Sequence, residues 1–318
     1  MKRVLLVVDV NNWAWHFKAK ALKKQLSGCY LIDIVYTSKG TPKYADHLLP
    51  QYDHIHFFGW YVLDNIKLKY KNKISTSIAS IEYNILRPGQ AAQILPQVAV
   101  VAVSPVLGQL LRSKGYGRKI HDCFNGVDTD FFLPRKDEQN KVDIPDQKSV
   151  NRQFRVGLMC KPPSSYDLHG YKIMEAVRKE LAKQPGIVCD FVIANHKSAK
   201  SHEDMRTYYQ NLDVFIHTGR YHLATPNPVF EAAACGVPIV STTNGCVPLL
   251  VQEGQSGYLI DIQLSDEDKV KQFVQKVLAL SKNQELLKSM STKIRHDIEQ
   301  HWSWKVRAQH WKPVFDNT

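Results

Sequence analysis

Two Rossmann-like α/β units in tandem are what this sequence predicts, and three observations carry the expectation. Short apolar, β-branched runs alternate with helical patterns along both halves. A polar stretch with almost nothing to bury separates the halves. Late in the chain, a strand, a polar loop and a helix are punctuated by proline and glycine in the manner of a ligand-binding turn. Length agrees, because 318 residues exceed what a single core usually organises.

In the first half the apolar runs fall at 4–10, 30–36, 54–58, 74–79, 99–104 and 119–124. Continuous apolar runs divided by helices indicate a parallel sheet covered on both faces. The segment from Arg135 to Gln153 is polar throughout and reads as an interdomain linker. The alternation then restarts, with strands at 155–160, 188–194, 213–218, 238–242 and 258–260 and helices at 171–181 and 228–235. This organisation assigns 1–134 to a first domain, 135–153 to the linker and 154–301 to a second domain. The tail after Trp302 is helical and aromatic. No short-period repeat is present.

Composition narrows the function classes. No stretch is long and apolar enough to span a bilayer. The opening Met1-Lys-Arg-Val-Leu-Leu-Val-Val-Asp9 breaks at its acid and lacks a small-residue cleavage site, so it reads as a buried strand. The six cysteines have neither C-x-x-C spacing nor partner histidines; they read as reduced thiols of a cytoplasmic protein, with no metal site and no cofactor expected. The net charge of +12 is uneven, with 17 Lys and Arg against nine acids in 1–134 and 25 against 21 in the remainder. No recognition helix, RNP-like strand or zinc finger accompanies it, which argues against nucleic acid. The basic cluster Lys67-Leu-Lys-Tyr-Lys-Asn-Lys73, preceded by Trp60, reads first as a solvated loop and second as a peripheral contact with an anionic membrane.

The most informative stretch contains Thr225-Pro-Asn-Pro-Val-Phe-Glu-Ala-Ala-Ala-Cys-Gly-Val-Pro238. It reads as a helix opened by Thr225 and Pro226 or Pro228 and stopped by Gly236. Free N–H groups at such a helix start receive an anion such as a diphosphate, and Glu231, placed in the first turn, accepts hydrogen bonds from ribose or sugar hydroxyls. In an open parallel sheet this point lies at the carboxyl ends of the strands, where ligands bind.

At these residues the sequence resembles the retaining glycosyltransferases of family four (glycosyl transferases group 1), which have the GT-B fold. The likeness continues through Asn244-Gly-Cys-Val-Pro248 and Glu253-Gly-Gln-Ser-Gly-Tyr-Leu-Ile-Asp261. Further markers are Asn125-Gly-Val-Asp-Thr-Asp-Phe-Phe-Leu-Pro134, similar to the family's entry into its linker, and Trp302-Ser-Trp304, similar to its tail. The resemblance implies two Rossmann-like domains facing across a cleft, with a C-terminal helix from about 302 to 318 crossing back to the first domain. It implies a nucleotide-sugar donor held by the second domain, a glycan or lipid-linked glycan acceptor held by the first, and transfer with retention of anomeric configuration.

Carried over residue by residue, the resemblance places Glu231 on the donor ribose, with Thr225, Asn227, Pro228 and Val229 around it. The family's earlier glutamate falls on Leu223, or after a one-residue shift on His222, and a later one on Leu249, so the paired-carboxylate pattern is broken. Near the first strand of the second domain, Lys161 is the first candidate for the diphosphate contact and His169 the second; a cation there stabilises the transition state more than the ground state. On the acceptor side stand Asn11, Asn12 and Trp13, in a loop where relatives carry glycines, together with His56 and Trp60. Two other readings stay open: a sugar-nucleotide-binding protein weakened in catalysis, for which Leu223 argues, and a sugar-nucleotide epimerase of the same fold.

Overall fold

The computed structural model describes residues 1–9, 11, 14–37, 49–60, 68–79, 93–135, 153–160, 167, 169–193, 201–220 and 225–316. The chain divides into two compact units, one made of residues 1–126 with Thr225 and the chain from Trp304, the other of residues between 127 and 303.

The first unit is built from β1 (Lys2–Val8), α1 (Ala14–Leu26), β2 (Tyr30–Tyr36), β3 (His54–Phe57), β4 (Ile74–Ile78), β5 (Ala99–Ala102), α2 (Pro105–Ser113) and β6 (Lys119–Asp122). Its strands lie parallel in the order β2-β1-β3-β4-β5-β6. The interior strands β3, β4 and β5 are buried at every position, as strands covered on both faces must be, whereas the edges β2 and β6 mix buried with exposed positions. α2 starts where Ser104 accepts the Leu107 N–H at 3.2 Å and Pro105 follows, a side-chain cap with proline in the first turn. Strand order reverses between β1 and β3, the point at which open parallel sheets bind ligands, and Asp9, Asn11 and Phe58 to Trp60 lie beyond the carboxyl ends of these two strands.

The second unit repeats the plan with β7 (Phe154–Cys160), α3 (Tyr171–Leu181), β8 (Ile187–Ile193), α4 (His202–Gln210), β9 (Val214–His217), α5 (Asn227–Ala234), β10 (Ile239–Thr242), α6 (Val247–Leu250), β11 (Gly257–Ile260), α7 (Asp266–Ser281) and α8 (Gln284–Trp302). Its parallel order is β11-β10-β9-β7-β8, with the reversal between β7 and β9. Among the described residues no helix is long and apolar enough to cross a membrane.

Two expectations are corrected. The units part between Gly126 and Val127, eight residues before Pro134. From Val127 the backbone is already tied to the second unit: its N–H donates to Trp302 O at 2.9 Å, Gln210 Nε2 donates to Leu133 O at 2.7 Å, and the Arg295 guanidinium donates to the carbonyls of Phe132 and Thr129 at 2.8 and 3.1 Å. Residues 136–152 of the expected linker lie outside the described residues. The tail is also not one helix from 302. α8 ends at Trp302, Ser303 is extended, and from Trp304 the chain joins the first unit as α9 (Trp304–Arg307), a 3-10 turn (Ala308–Trp311) and α10 (Lys312–Asp316). Gly126 allows this docking, since a Cβ there would stand 2.8 Å from the Trp304 ring. Trp311, Val314 and Phe315 then sit fully inside the first unit's core.

Candidate functional site

In the second unit the chain leaving β9 meets the chain leaving β7. The Thr218 hydroxyl donates to Gly170 O at 2.9 Å, and Gly170 has φ 69° with Thr218 O only 1.8 Å from where a Cβ would stand. Only glycine accepts both the left-handed backbone and that approach. Asp167 caps α3 by accepting from the N–H groups of Tyr171 at 2.6 Å and Lys172 at 3.2 Å, and Arg220 Nε donates to the same carboxylate at 3.1 Å while its other arm pairs with Asp266. The start of α3 is therefore filled by the protein's own carboxylate. His169 stands half-exposed on this loop. His217, at the end of β9, is buried against Ser241 at 3.2 Å; burial first, and the nearby His169 second, bring its imidazole down to about 4.

α5 starts at Asn227 with Pro226 at the N-cap position, and its first turn holds no acid. Because the helix begins at Asn227, Glu231 opens the second turn rather than lying in the first. Asn227, Pro228 and Glu231 are half-buried, whereas Val229 and Phe230 are fully buried, Phe230 edge-on to Trp302. Glu231 Oε2 accepts the Tyr209 hydroxyl at 2.9 Å. Burial pushes the Glu231 carboxyl up to about 7, against the opposing pull of that hydrogen bond.

The structure places several expected site residues elsewhere. Val229 faces the core and its N–H is spent on Pro226 O at 2.9 Å, so its side chain offers nothing to a ligand. Thr225 does not cap α5: it is buried in the first unit, where its hydroxyl donates to Val103 O at 3.0 Å and accepts from Asn125 N at 3.4 Å. Lys161, His222, Asn12 and Trp13 lie outside the described residues.

In the first unit Asn11 is exposed beyond β1, at the strand-order reversal. His56 is not an acceptor contact. It is fully buried, its two ring nitrogens 2.8 Å from the hydroxyls of Ser75 and Ser77, and it meets Phe58 and Trp311 edge-on. Burial and neighbouring His54 and Lys18 hold it neutral, far below the ordinary imidazole range. Trp60 is 9% exposed and packs into the same core, which leaves little of its ring for stacking on a sugar.

Two features escaped the sequence reading. Tyr209 is one, a fully buried phenol aimed at Glu231. Lys18 is the other: it is 5% exposed, Nζ donates to Asn125 Oδ1 at 2.7 Å and lies 4.8 Å over the Trp311 ring, and burial brings its amine down to about 7. A signal was present, since Lys18 falls in the i, i+4, i+8 register of Leu22 and Leu26 on the buried face of α1.

Comparison with known proteins shows what this geometry resembles. Residues 167–283 match the family described as Glycosyl transferases group 1, a span holding His169, Tyr209, the whole of α5 and Glu231. Over 114 residues the chain is 25% identical to spore coat protein SA of Bacillus subtilis (strain 168), covering 36% of this chain and 29% of that protein. Over 89 residues it is 33% identical to the N-acetyl-alpha-D-glucosaminyl L-malate synthase of Bacillus anthracis, covering 28% and 22%. The aligned part of this chain thus spans less than a third of either curated relative. The structure of Anabaena Alr3699/HepE in complex with UDP and glucose superposes with a TM-score of 0.75 at 11% identity, over 100% of both chains, a likeness of fold. Residues 167–283 are thus similar to the glycosyl transferases group 1 family, and the two Rossmann-like α/β units have the GT-B fold.

Proposed function

We propose that this protein transfers a glycosyl group from a nucleotide-sugar to a glycan or lipid-linked glycan acceptor, with retention of configuration. The observation that carries the reading is Glu231, half-buried one turn into α5 beyond the carboxyl ends of β9 and β10, on a helix whose first turn holds no acid. The positive end of a helix suits a diphosphate, and a carboxylate one turn on suits the ribose hydroxyls. Transfer breaks the bond between the anomeric carbon and the diphosphate oxygen and forms one to the acceptor oxygen on the same face. The acceptor's proton goes to the departing diphosphate, so no protein base is needed. Lys161, with His169 as the alternative, neutralises charge developing on the diphosphate. The exposure of Asn11 at the strand-order reversal of the first sheet supports an acceptor contact there.

We place the enzyme in the cytoplasm, working without a metal, and the basic first unit in peripheral contact with anionic membrane that presents a lipid-linked acceptor. Vesicle flotation at low salt tests the contact, and equal binding to neutral and anionic liposomes would remove it. For the reaction, thermal shift with UDP-, GDP-, ADP- and CMP-sugars should single out one nucleotide, since a ligand of the native state raises stability by RT ln(1 + [L]/Kd). No shift with any of them on folded protein overturns the donor assignment. Leu223 and Leu249, standing where the family has glutamates, favour as a second reading a donor-binding protein without transfer. Stabilisation by a nucleotide-sugar with no release of nucleoside diphosphate, whatever the acceptor, decides for that reading.

A further inference from the structure

We infer that Tyr209 is a positioning residue for Glu231: its hydroxyl takes up one carboxylate oxygen so that the other is presented, ionised, to the ribose of the donor. The inference rests on the reading that Glu231 binds the donor. Tyr209 lies in α4, well before α5 begins at Asn227, and its ring is fixed by Phe215, Phe132 and Tyr208, with centroids 5.8, 6.1 and 5.3 Å away. The phenol is completely buried, out of reach of solvent, and the Glu231 carboxylate at 2.9 Å is the side-chain acceptor it meets. A rigid donor on a rigid ring fixes the rotation of the carboxyl plane.

The same bond matters for charge. Burial favours the protonated carboxyl and brings its pKa to about 7, while the phenolic hydrogen bond favours the carboxylate. A protonated Glu231 would compete with the ribose as a donor. The other titratable groups around the pair are Tyr208 on α4 and Cys235 on α5, and the Cys235 thiol in turn faces Arg206 of α4 and Arg295 of α8. Burial keeps both Tyr208 and Cys235 in their neutral forms at neutral pH. The arginines are engaged, Arg206 with Glu203 and Arg295 with Glu299 and the Ala234 carbonyl, which leaves the Tyr209 hydroxyl as the local group that holds the charge on Glu231.

Tyr209→Phe keeps the ring packing and removes only the hydroxyl. In ligand-free protein carrying carboxyl-13C glutamate, with the Glu231 signal assigned by its absence in Glu231→Gln, the titration of Glu231 should move to higher pH in Tyr209→Phe; an unmoved titration overturns the inference. Calorimetry with the tightest of UDP, GDP, ADP and CDP supplies the second arm. Tyr209→Phe should weaken binding about fivefold at pH 6.5, as loss of one hydrogen bond implies, and less at pH 8.5, where the carboxylate forms unaided. In a Glu231→Gln background the same substitution should change nothing. An equal loss in both backgrounds, at both pH values, would make Tyr209 a packing residue and refute the inference. Wild-type affinity in Glu231→Gln would overturn the donor role of Glu231 itself, with the ligand-free titration still deciding what Tyr209 does.

Discussion

Replacing Lys18 with methionine should stabilise the first unit, and the size of the gain can be worked from its surroundings. The amine is 5% exposed, faces the Trp311 ring and has one side-chain hydrogen bond, to Asn125. Burial lowers its pKa from 10.5 to about 7. Because the folded value lies below the unfolded one, the unfolded chain holds the extra proton between those limits. The penalty is absent above pH 10.5, grows as pH falls, and is complete below 7. At pH 7 it amounts to roughly 4 kcal/mol, since each tenfold loss of proton affinity costs about 1.4 kcal/mol. Losing the bond to Asn125 offsets about 1 to 2 kcal/mol of the gain, and the methionine side chain fills nearly the same volume. A net gain of about 2 to 3 kcal/mol is expected at pH 7, or roughly 5–10 °C in the melting temperature of a unit this size. Urea unfolding followed by tryptophan fluorescence, at pH 7 and pH 9.5 for both proteins, tests this. The advantage of Lys18→Met should shrink by about 3 kcal/mol at the higher pH, because the wild-type penalty is then largely relieved. Comparing the two proteins largely cancels the contribution of buried thiols such as Cys123, which the change in pH also affects. A variant less stable than wild type at pH 7, or an advantage independent of pH, would refute the reasoning.

Three more outcomes follow from the same geometry. Glu231→Gln should weaken nucleotide-sugar binding by about 1.5–3 kcal/mol in calorimetry while leaving the melting curve in place, and unchanged affinity would make the residue structural. His54 and His56 are buried and neutral, His54 with a pKa brought down to about 3 by burial, so the unfolded chain takes up their protons as pH falls through 6.5. Stability of the first unit should drop by about 2 kcal/mol per histidine between pH 7.5 and 5, and His56→Gln should flatten that slope. Gly170→Ala forces a Cβ against Thr218 O and a left-handed backbone on alanine; it should cost at least about 2–3 kcal/mol, and a variant as stable as wild type would refute the close approach of Gly170 to Thr218.

Much of the fold was legible because the two sheets are parallel and covered on both faces. Such strands favour apolar runs, as in β5 and in residues 4–8 of β1, and the intervening helices carry their own period. The position of α5 was legible too, from Pro226 before it and Gly236, at φ 76°, after it. The limits of these signals show at single residues. His56 stands in a strand pattern among aromatics, and nothing local distinguishes a histidine satisfied by two serines from one offered to a substrate. Thr225 has the identity of a helix cap yet serves the first unit's backbone.

The sequence by itself determined the two α/β units, the helix that carries Glu231 and the likeness of residues 167–283 to the glycosyl transferases group 1 family, because each is written in short-range periodicity or in a contiguous motif. Only the tertiary structure decided that Tyr209 meets Glu231, that Lys18 lies buried beneath Trp311, and that the chain changes unit at Gly126. Those facts join residues 22, 293 and 178 positions apart, or depend on which distant carbonyls Arg295 reaches. Such pairings follow from the order of strands in each sheet and the packing of helices across it, which local periodicity does not encode.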